Sequence, residues 1–366
     1  MTARHVYIHV PFCARRCTYC DFSIAVRKQT PVRDYLDALA REASHVDVPR
    51  KPKTIYLGGG TPSRLGGAGI AELARIISPR IQLDVEEFTI EANPDDVTEG
   101  AARAWVAAGI NRVSLGAQSF DARVLEWMHR THDVPAIAAA VRTLRAAGIA
   151  NVSLDLIFAL PERLGRDWRA DLEQATRLEP DHISLYGLTV EQGTPLARQI
   201  ARDDIAAAPD TRWEEEYLLA HERLGAAGFR FYELSNAARA GREAVHNRAY
   251  WTLAPYLGLG PSAHSFDGTS RWWNEAAYAR WRRLLAEGQN PVAGREILSE
   301  SQRGMEQLYL GLRTAEGVAL AGPSGTKLPS AAEAWVRSGW AVREQGERIR
   351  LTAAGWLRLD ELVASI

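Results

Sequence analysis

The sequence predicts an α/β fold built around a parallel sheet. Over the first 235 residues, short runs rich in β-branched and aromatic residues alternate with longer stretches of helical spacing, which is the pattern of βα units. The length of 366 residues fits about two domains, or one large barrel with an appendage. With 46% hydrophobic and 24% charged residues, the composition is that of an ordinary globular protein and excludes disordered or fibrous classes.

The predicted strands and helices follow one another in a regular order. The strands are 5–10, 54–58, 87–91, 111–116, 151–158, 182–187 and, with a weaker pattern, 229–234. The helices between them are 32–47, 68–78, 97–108, 121–147, 167–178 and 211–227, and several of them end at a glycine, as helix C-termini often do. Six or seven βα units result. An open doubly wound sheet and a partial barrel both satisfy this alternation.

After Asn236 the regular alternation of strand and helix patterns ends. The segment 237–298 is rich in Trp, Tyr, Gly and Pro and includes the run YLGLGPSAHSF at 256–266. From Ser299 a helical run begins, and the chain ends in a strand, a turn and a helix. The sequence therefore predicts three parts, with boundaries at 1–236, 237–298 and 299–366, of which the last is a small helical, winged-helix-like domain.

Charge and hydropathy limit the possible partners and locations. Lys and Arg number 44 and Asp and Glu 45, so the net charge is −1, and no overall positive charge favours nucleic acid or an anionic membrane. No segment approaches the 18 or so consecutive apolar residues of a membrane span. The N-terminus lacks the pattern of a signal peptide, so we predict a cytoplasmic protein. Homodimerisation stays open.

All three cysteines of the chain lie in one loop directly after the first predicted strand. Cys13, Cys17 and Cys20 have the spacing C-x3-C-x2-C. A structural zinc site needs four ligands, usually in two separated pairs, whereas a [4Fe-4S] cluster can be bound by three thiolates with one iron left open. The cluster fits better. Zinc with His9 as the fourth ligand, and three unrelated buried thiols, are the alternatives.

Other candidate residues follow the carboxyl ends of predicted strands, which is where barrels of this class carry their chemistry. A glycine run at 58–60 followed by Thr61 allows backbone to approach a ligand closely. Glu91 ends the third strand, where a carboxylate can accept hydrogen bonds from two hydroxyl groups of a ligand; an exposed acid at a strand end is the alternative. Gln118 follows the fourth strand and offers both a donor and an acceptor.

Asp155 and Arg130 are the charged candidates. Asp155 interrupts the apolar run 152–160, where an unpaired buried carboxylate would cost several kcal/mol, so it must have a partner. Arg130 could pair with the ligand or with an acid, although a single arginine lies more often at the surface.

At these positions the sequence resembles the radical S-adenosylmethionine (SAM) superfamily, and within it the branch of coproporphyrinogen oxidase-like proteins. The cysteine loop matches at all three cysteines, and the similarity extends over nearly the whole chain. The resemblance implies a partial (β/α)6 barrel and a [4Fe-4S] cluster whose open iron binds SAM. It also implies that the SAM contacts are Tyr7, Gly59, Gly60, Thr61, Glu91, Gln118, Arg130 and Asp155.

This branch contains two kinds of protein, an oxygen-independent coproporphyrinogen III oxidase and a haem chaperone that delivers haem to acceptor proteins. Three features favour the chaperone. The oxidase has a fourth cysteine two positions after the third, where this chain has Phe22; it also has an N-terminal extension, whereas six residues precede Tyr7 here. The run 246–251, HNRAYW, resembles the HNxxYW signature of the chaperone group.

We therefore predict a haem chaperone without coproporphyrinogen oxidase activity, with the oxidase as the alternative. The implied partners are haem and haem-accepting proteins, with respiratory proteins among the candidates. Haem iron needs an axial donor, and the cysteines belong to the cluster loop. On a helix, His246 and Tyr250 share one face, with Trp251 beside them. The alternative is that His246 packs in the core; His264, Trp272 and Trp273 lie in the same aromatic-rich region.

Overall fold

The computed structural model describes residues 3–321, 328–344 and 347–366. Its strands are β1 (His5–Val10), β2 (Phe12–Cys13), β3 (Ala25–Val26), β4 (Thr54–Gly59), β5 (Glu87–Ala92), β6 (Arg112–Gln118), β7 (Asn151–Phe158), β8 (His182–Gly187), β9 (Arg230–Glu233), β10 (Asn236–Ala238), β11 (Tyr256–Leu259), β12 (His264–Phe266), β13 (Ser270–Asn274), β14 (Val292–Ile297), β15 (Val318–Ala319), β16 (Ala341–Glu344) and β17 (Arg348–Leu351).

Its helices are α1 (Val32–His45), α2 (Gly66–Ile77), α3 (Glu99–Ala107), α4 (Ala122–Trp127), α5 (Val134–Ala147), α6 (Trp168–Arg177), α7 (Pro195–Ala201), α8 (Asp210–Ala226), α9 (Val245–Trp251), α10 (Tyr278–Ala286), α11 (Glu300–Arg313), α12 (Leu328–Arg337), α13 (Ala353–Trp356) and α14 (Leu359–Ala364). Short 3-10 turns lie at Pro62–Leu65, Pro94–Asp96 and Glu162–Leu164.

The centre of the fold is a run of parallel strands in the order β1-β4-β5-β6-β7-β8. Each pair of neighbours in this run is parallel. A doubly wound sheet reverses its strand order at a switch point, and this run has no reversal. The order therefore fits the partial barrel and resolves the ambiguity that periodicity left.

The two edges of the sheet are not formed by further βα units. The predicted strand 229–234 forms the short β9, which pairs with β10, and β10 lies antiparallel to β8; it is a hairpin rather than a seventh βα unit. At the other edge β11 pairs parallel with β1, and β12 to β14 extend the sheet in antiparallel fashion. The aromatic-rich segment thus continues the barrel sheet. The domain boundaries stay predictions.

The helices agree with the sequence patterns in all but two places. The predicted helix 121–147 is divided into α4 and α5, because His129 has a φ of 58° and Asp133 begins a new helix, its side chain accepting a hydrogen bond from the Ala136 amide. Such a side chain satisfies one of the unpaired amides of a helix N-terminus. The short α7 was not predicted. The other predicted helices agree within two residues at each end.

The barrel strands alternate between an apolar outer face and a polar inner face. On β1, for example, Val6, Ile8 and Val10 are fully buried in the layer under the helices, whereas His5, Tyr7 and His9 face inward. The strand pairing places these inward residues with their neighbours on one face, namely Thr54, Tyr56, Glu87, Thr89, Glu91, Ser114, Asp155 and Ser184. The barrel interior is therefore polar, and the apolar side chains whose burial stabilises the fold lie between the outside of the sheet and the helices.

The C-terminal segment begins with a capping box, in which the side chains of Ser299 and Gln302 each accept a hydrogen bond from the other residue's backbone amide, an arrangement that fixes the start of α11. Strands β15, β17 and β16 then form a three-stranded sheet in the described residues. The winged-helix-like C-terminal domain stays a prediction. Among the described residues there is no helix whose length and apolar character would allow it to cross a membrane.

Candidate functional site

A cavity of about 490 Å³ opens at the carboxyl ends of the barrel strands. Its wall contains ten of the residues that the sequence predicted as ligands: Cys13, Cys17, Cys20, Gly59, Gly60, Thr61, Glu91, Gln118, Arg130 and Asp155. They come from the loop after β1 and from four later strands or the loops after them. The parallel strand order brings their ends to one side of the sheet, which is why residues far apart in sequence meet here.

The cysteine loop covers one side of this cavity. The Cys13 thiol lies 3.4 Å from the Thr61 hydroxyl, and the Arg130 guanidinium donates a hydrogen bond of 3.5 Å to the Cys17 sulfur. Burial raises the pKa of Cys13, and it raises the pKa of Cys20 to about 11. Binding of a metal centre to these two thiols therefore releases protons at neutral pH.

The donor set fits an iron-sulfur cluster better than a single metal ion. The zinc alternative requires His9 as the fourth ligand. The His9 ring is engaged elsewhere, with Nδ1 3.1 Å from the Tyr7 hydroxyl and Nε2 3.3 Å from the Ser23 carbonyl. A cluster spreads its irons and binds thiolates at separate corners, as three thiols around one cavity allow.

The glycine run is required by its surroundings. Gly59 has a φ of +113°, and a Cβ there would lie 2.5 Å from the His9 ring. A Cβ on Gly60 would lie 2.8 Å from the backbone of Pro11. No other residue fits without displacing β1, so the strand end remains close to the cysteine loop.

Glu91 faces the cavity from the end of β5. Its carboxylate accepts a hydrogen bond of 2.8 Å from the Tyr56 hydroxyl and one of 3.0 Å from the Gly59 amide. Burial raises the pKa of Glu91 to about 7, although these two hydrogen bonds oppose the shift. The carboxylate is thus positioned by two donors and retains acceptor capacity toward the cavity.

Asp155 has its partners, and they are hydroxyl groups. The Ser114 hydroxyl lies 2.9 Å and 3.1 Å from the two carboxylate oxygens, and Ser153 lies 3.5 Å from one of them. Burial raises the pKa of Asp155. Asp155 therefore does not interrupt an apolar strand; it belongs to the polar inner face, and Arg130 is not its partner.

Arg130 and Gln118 are held in fixed positions beside it. One Arg130 nitrogen donates to the Asn93 side-chain oxygen at 2.6 Å and to the Gly116 carbonyl at 3.0 Å. Gln118 has a φ of 67° at a bulge in β6. A non-glycine residue in this conformation is strained, and such strain occurs often at binding sites. Asn93 is a site residue that the sequence reasoning missed, although it follows Glu91 closely at a strand end.

Tyr7 lies below the cavity wall and is not part of the lining. Its ring stacks on Tyr56, with centroids 6.0 Å apart, and its hydroxyl contacts His9. Tyr7 therefore supports Tyr56, which in turn positions Glu91. The structure places the other predicted SAM contacts around one cavity and this one in the layer beneath it.

His246 lies at the opposite, amino end of the barrel. Helix α9 closes this end, and the Glu87 carboxylate accepts hydrogen bonds from its first two amides, Val245 and His246, at 2.8 Å and 3.0 Å. The His246 ring is 1% exposed. Its Nδ1 lies 2.7 Å from the Thr54 hydroxyl and its Nε2 lies 2.9 Å from the Tyr250 hydroxyl.

Burial lowers the pKa of His246 to about 3, so the ring is neutral. Both ring nitrogens are occupied by protein partners in this conformation. Tyr250 separates His246 from a second cavity, described below. Sequence reasoning missed Thr54 and Glu87; their signal is that the first residue of each barrel strand is polar and faces inward.

The profile of the radical SAM superfamily matches residues 7–175. The solved structure of coproporphyrinogen III oxidase (HemN) from Escherichia coli superimposes with a TM-score of 0.83 over 100% of this chain and 90% of the other, at 22% sequence identity. Fold and site together define a radical SAM protein, and the predicted α/β architecture is confirmed.

Sequence relatives identify the branch. The Heme chaperone HemW of Mycobacterium tuberculosis is 38% identical over 99% of this chain and 94% of its own length. The Heme chaperone HemW of Bacillus subtilis is 33% identical over 86% of this chain and 84% of its own length. The chain belongs to the HemW family.

Proposed function

We propose that this protein is a haem chaperone, which binds haem and a SAM-liganded [4Fe-4S] cluster and passes the haem to acceptor proteins. The observation that carries the proposal is the position after the cysteine loop. Phe22 stands where the oxidase-type loop has its fourth cysteine, and it lines the barrel cavity with 62% of its surface exposed. Membership of the HemW family supports the same choice over the oxidase.

Within this proposal, the residues at the carboxyl end of the barrel bind the resident cofactors. Cys13, Cys17 and Cys20 would hold the cluster, which when bound supplies an open iron for the amino and carboxylate groups of SAM. Glu91 would accept the ribose hydroxyls, since its carboxylate is already oriented by two donors. A hydrogen bond to such a charged acceptor contributes on the order of 1.5–3 kcal/mol.

Arg130 stabilises negative charge at the cluster end of the cavity. It lies against the Cys17 sulfur, and its attachment to Asn93 and Gly116 prevents it from turning away. The cation therefore offsets part of the negative charge that a bound cluster would place at this sulfur. Haem-accepting proteins, a cytoplasmic location and a homodimer stay predictions.

One experiment distinguishes the chaperone from the oxidase. The cluster is reconstituted anaerobically, and the protein is offered haem in one arm and coproporphyrinogen with SAM and a reductant in the other. We expect a stable haem absorption spectrum and no carbon dioxide release. Stoichiometric decarboxylation of coproporphyrinogen, or no haem binding, would overturn the proposal.

A further inference from the structure

A second cavity, of about 540 Å³, lies between α9 and strands β11 to β14. Its volume is within the range of about 300–1,000 Å³ that is typical of small-ligand pockets. Five aromatic side chains stand in its wall: Tyr250, Trp251, Tyr256, Phe266 and Trp273. An open cavity with flat aromatic walls suits a flat, largely apolar ring system.

This cavity lies on the same face of the sheet as the barrel interior. Tyr256 pairs with His5 of β1 on one side and with Phe266 on the other, and His264 pairs with Trp273. Paired residues share a face, so these side chains continue the polar inner face of the barrel as an aromatic surface. The rings of Tyr56 and His246, stacked with centroids 5.0 Å apart, lie between this cavity and Glu91.

His264 is a histidine in this wall with its ring available. The residue is exposed, and its ring stacks on Trp273 with centroids 5.8 Å apart. Among residues 3–321, 328–344 and 347–366, no hydrogen bond joins either ring nitrogen of His264 to another group. His246 is the opposite case, since both of its ring nitrogens are bonded and the side chain is buried.

From this geometry we infer that the second cavity is the haem site and that His264 is the axial donor to the haem iron. The inference rests on the proposed chaperone function and names the site within it. A neutral imidazole nitrogen coordinates iron through its lone pair. Partial burial of the ring and the nearby Arg271 lower the pKa of His264, which keeps the ring neutral at physiological pH.

His246 then acts as a positioning residue. Its Nε2 contacts the Tyr250 hydroxyl, so it fixes the tyrosine that forms one wall of the cavity. Arg271 is also in the wall, but its guanidinium is paired with Glu306 at 2.8 Å. Its charge is already balanced, so binding is assigned to the aromatic walls and the iron bond rather than to the haem propionates.

The test uses the full chain with its cluster reconstituted, titrated with ferric haem. We expect His264→Gly to change the Soret spectrum and to weaken haem binding by at least about tenfold, because even outer partners of metal sites contribute on the order of 10–100-fold in affinity. Added imidazole should restore the wild-type spectrum. Cluster iron content should not change.

Two further variants make the result specific. His45→Ala, at an exposed position on α1 that is not part of the wall of this cavity, should leave the spectrum as in the wild type. His246→Ala should weaken binding but retain the axial histidine signature in the resonance Raman spectrum. A wild-type protein that binds no haem overturns the chaperone function itself. Haem binding that is indifferent to His264 overturns only the assignment of the site.

Discussion

Both ends of the barrel have polar side chains that face inward, but the surroundings of these side chains differ between the two ends. At the amino end, Thr54 and Glu87 are each hydrogen-bonded to His246 of α9, and all three are buried. At the carboxyl end, Glu91 and Asp155 line an open cavity of about 490 Å³. Buried polar groups that satisfy one another stabilise a fold, whereas polar groups on a cavity wall can bind a ligand. The amino end is therefore a closed, structural end, and the carboxyl end is the binding end.

The largest effect is expected in the cysteine loop. Cys13→Ala, Cys17→Ala or Cys20→Ala should abolish the iron-sulfur absorption, since three thiolates hold the cluster, while circular dichroism should show an intact fold. Asp21→Asn, an exposed change in the same loop, is the control and should retain the cluster. If a variant with all three cysteines replaced kept its iron and sulfide, the cysteine loop would not be the cluster-binding site.

Gly59→Ala should destabilise the fold by about 3 kcal/mol, because it combines a positive φ with a clash against the His9 ring. Gly148→Ala is the matched control, since Gly148 has a φ of +99° with no neighbour within 4 Å of the added Cβ. Urea unfolding measures both. Equal losses in the two variants would show that the close approach to His9 is unimportant.

Loss of a charged acceptor in the cavity should weaken SAM binding. Glu91→Gln and Asp155→Asn should each cost on the order of 1.5–3 kcal/mol in calorimetric titrations. Glu222→Gln, whose side chain is 71% exposed, should bind SAM normally. If all three variants bind SAM equally, the inner carboxylates serve the structure alone.

At the closed end, Thr54→Val removes a hydroxyl that contacts His5 at 2.8 Å and His246 at 2.7 Å. The expected loss of stability is about 2 kcal/mol, because two buried ring nitrogens lose their partner. Thr89→Val is a close control: this hydroxyl is buried on the same face and has no hydrogen-bond partner in the part of the chain that the structure describes, so its removal should cost little. A larger loss for Thr89→Val than for Thr54→Val would contradict the comparison.

The smallest effect, counted per pH unit, concerns the protonation of Glu91. Burial raises the pKa of Glu91 from 4.5 to about 7, so between these values the folded protein binds more protons at this site than the unfolded chain. Its contribution to stability is present below pH 4.5 and is lost as the pH rises through 7, by at most about 1.4 kcal/mol per pH unit. Stability measured at pH 5 and 7 should fall less in Glu91→Gln than in the wild type. If stability fell equally in the wild type and the variant, the pKa of Glu91 would be that of a solvent-exposed carboxylate.

The sequence by itself determined the order of βα units, the cysteine loop and ten of the residues that line the cavity. These are local features: strand periodicity, glycine spacing and residue type at strand ends can be identified without knowing what packs against them. The sequence could not separate a barrel from a doubly wound sheet, because both have the same alternation and differ only in which strands become neighbours.

Only the tertiary structure decided the surroundings of each histidine. His246 and His264 both lie among aromatic residues in the sequence, and the helical spacing of His246 and Tyr250 favoured the first as the haem contact. Packing of α9 against the barrel end gives His246 two bonded ring nitrogens, whereas pairing of β12 with β13 leaves the His264 ring on a cavity wall. Burial and hydrogen bonding depend on residues distant in the chain, so no local pattern could assign them.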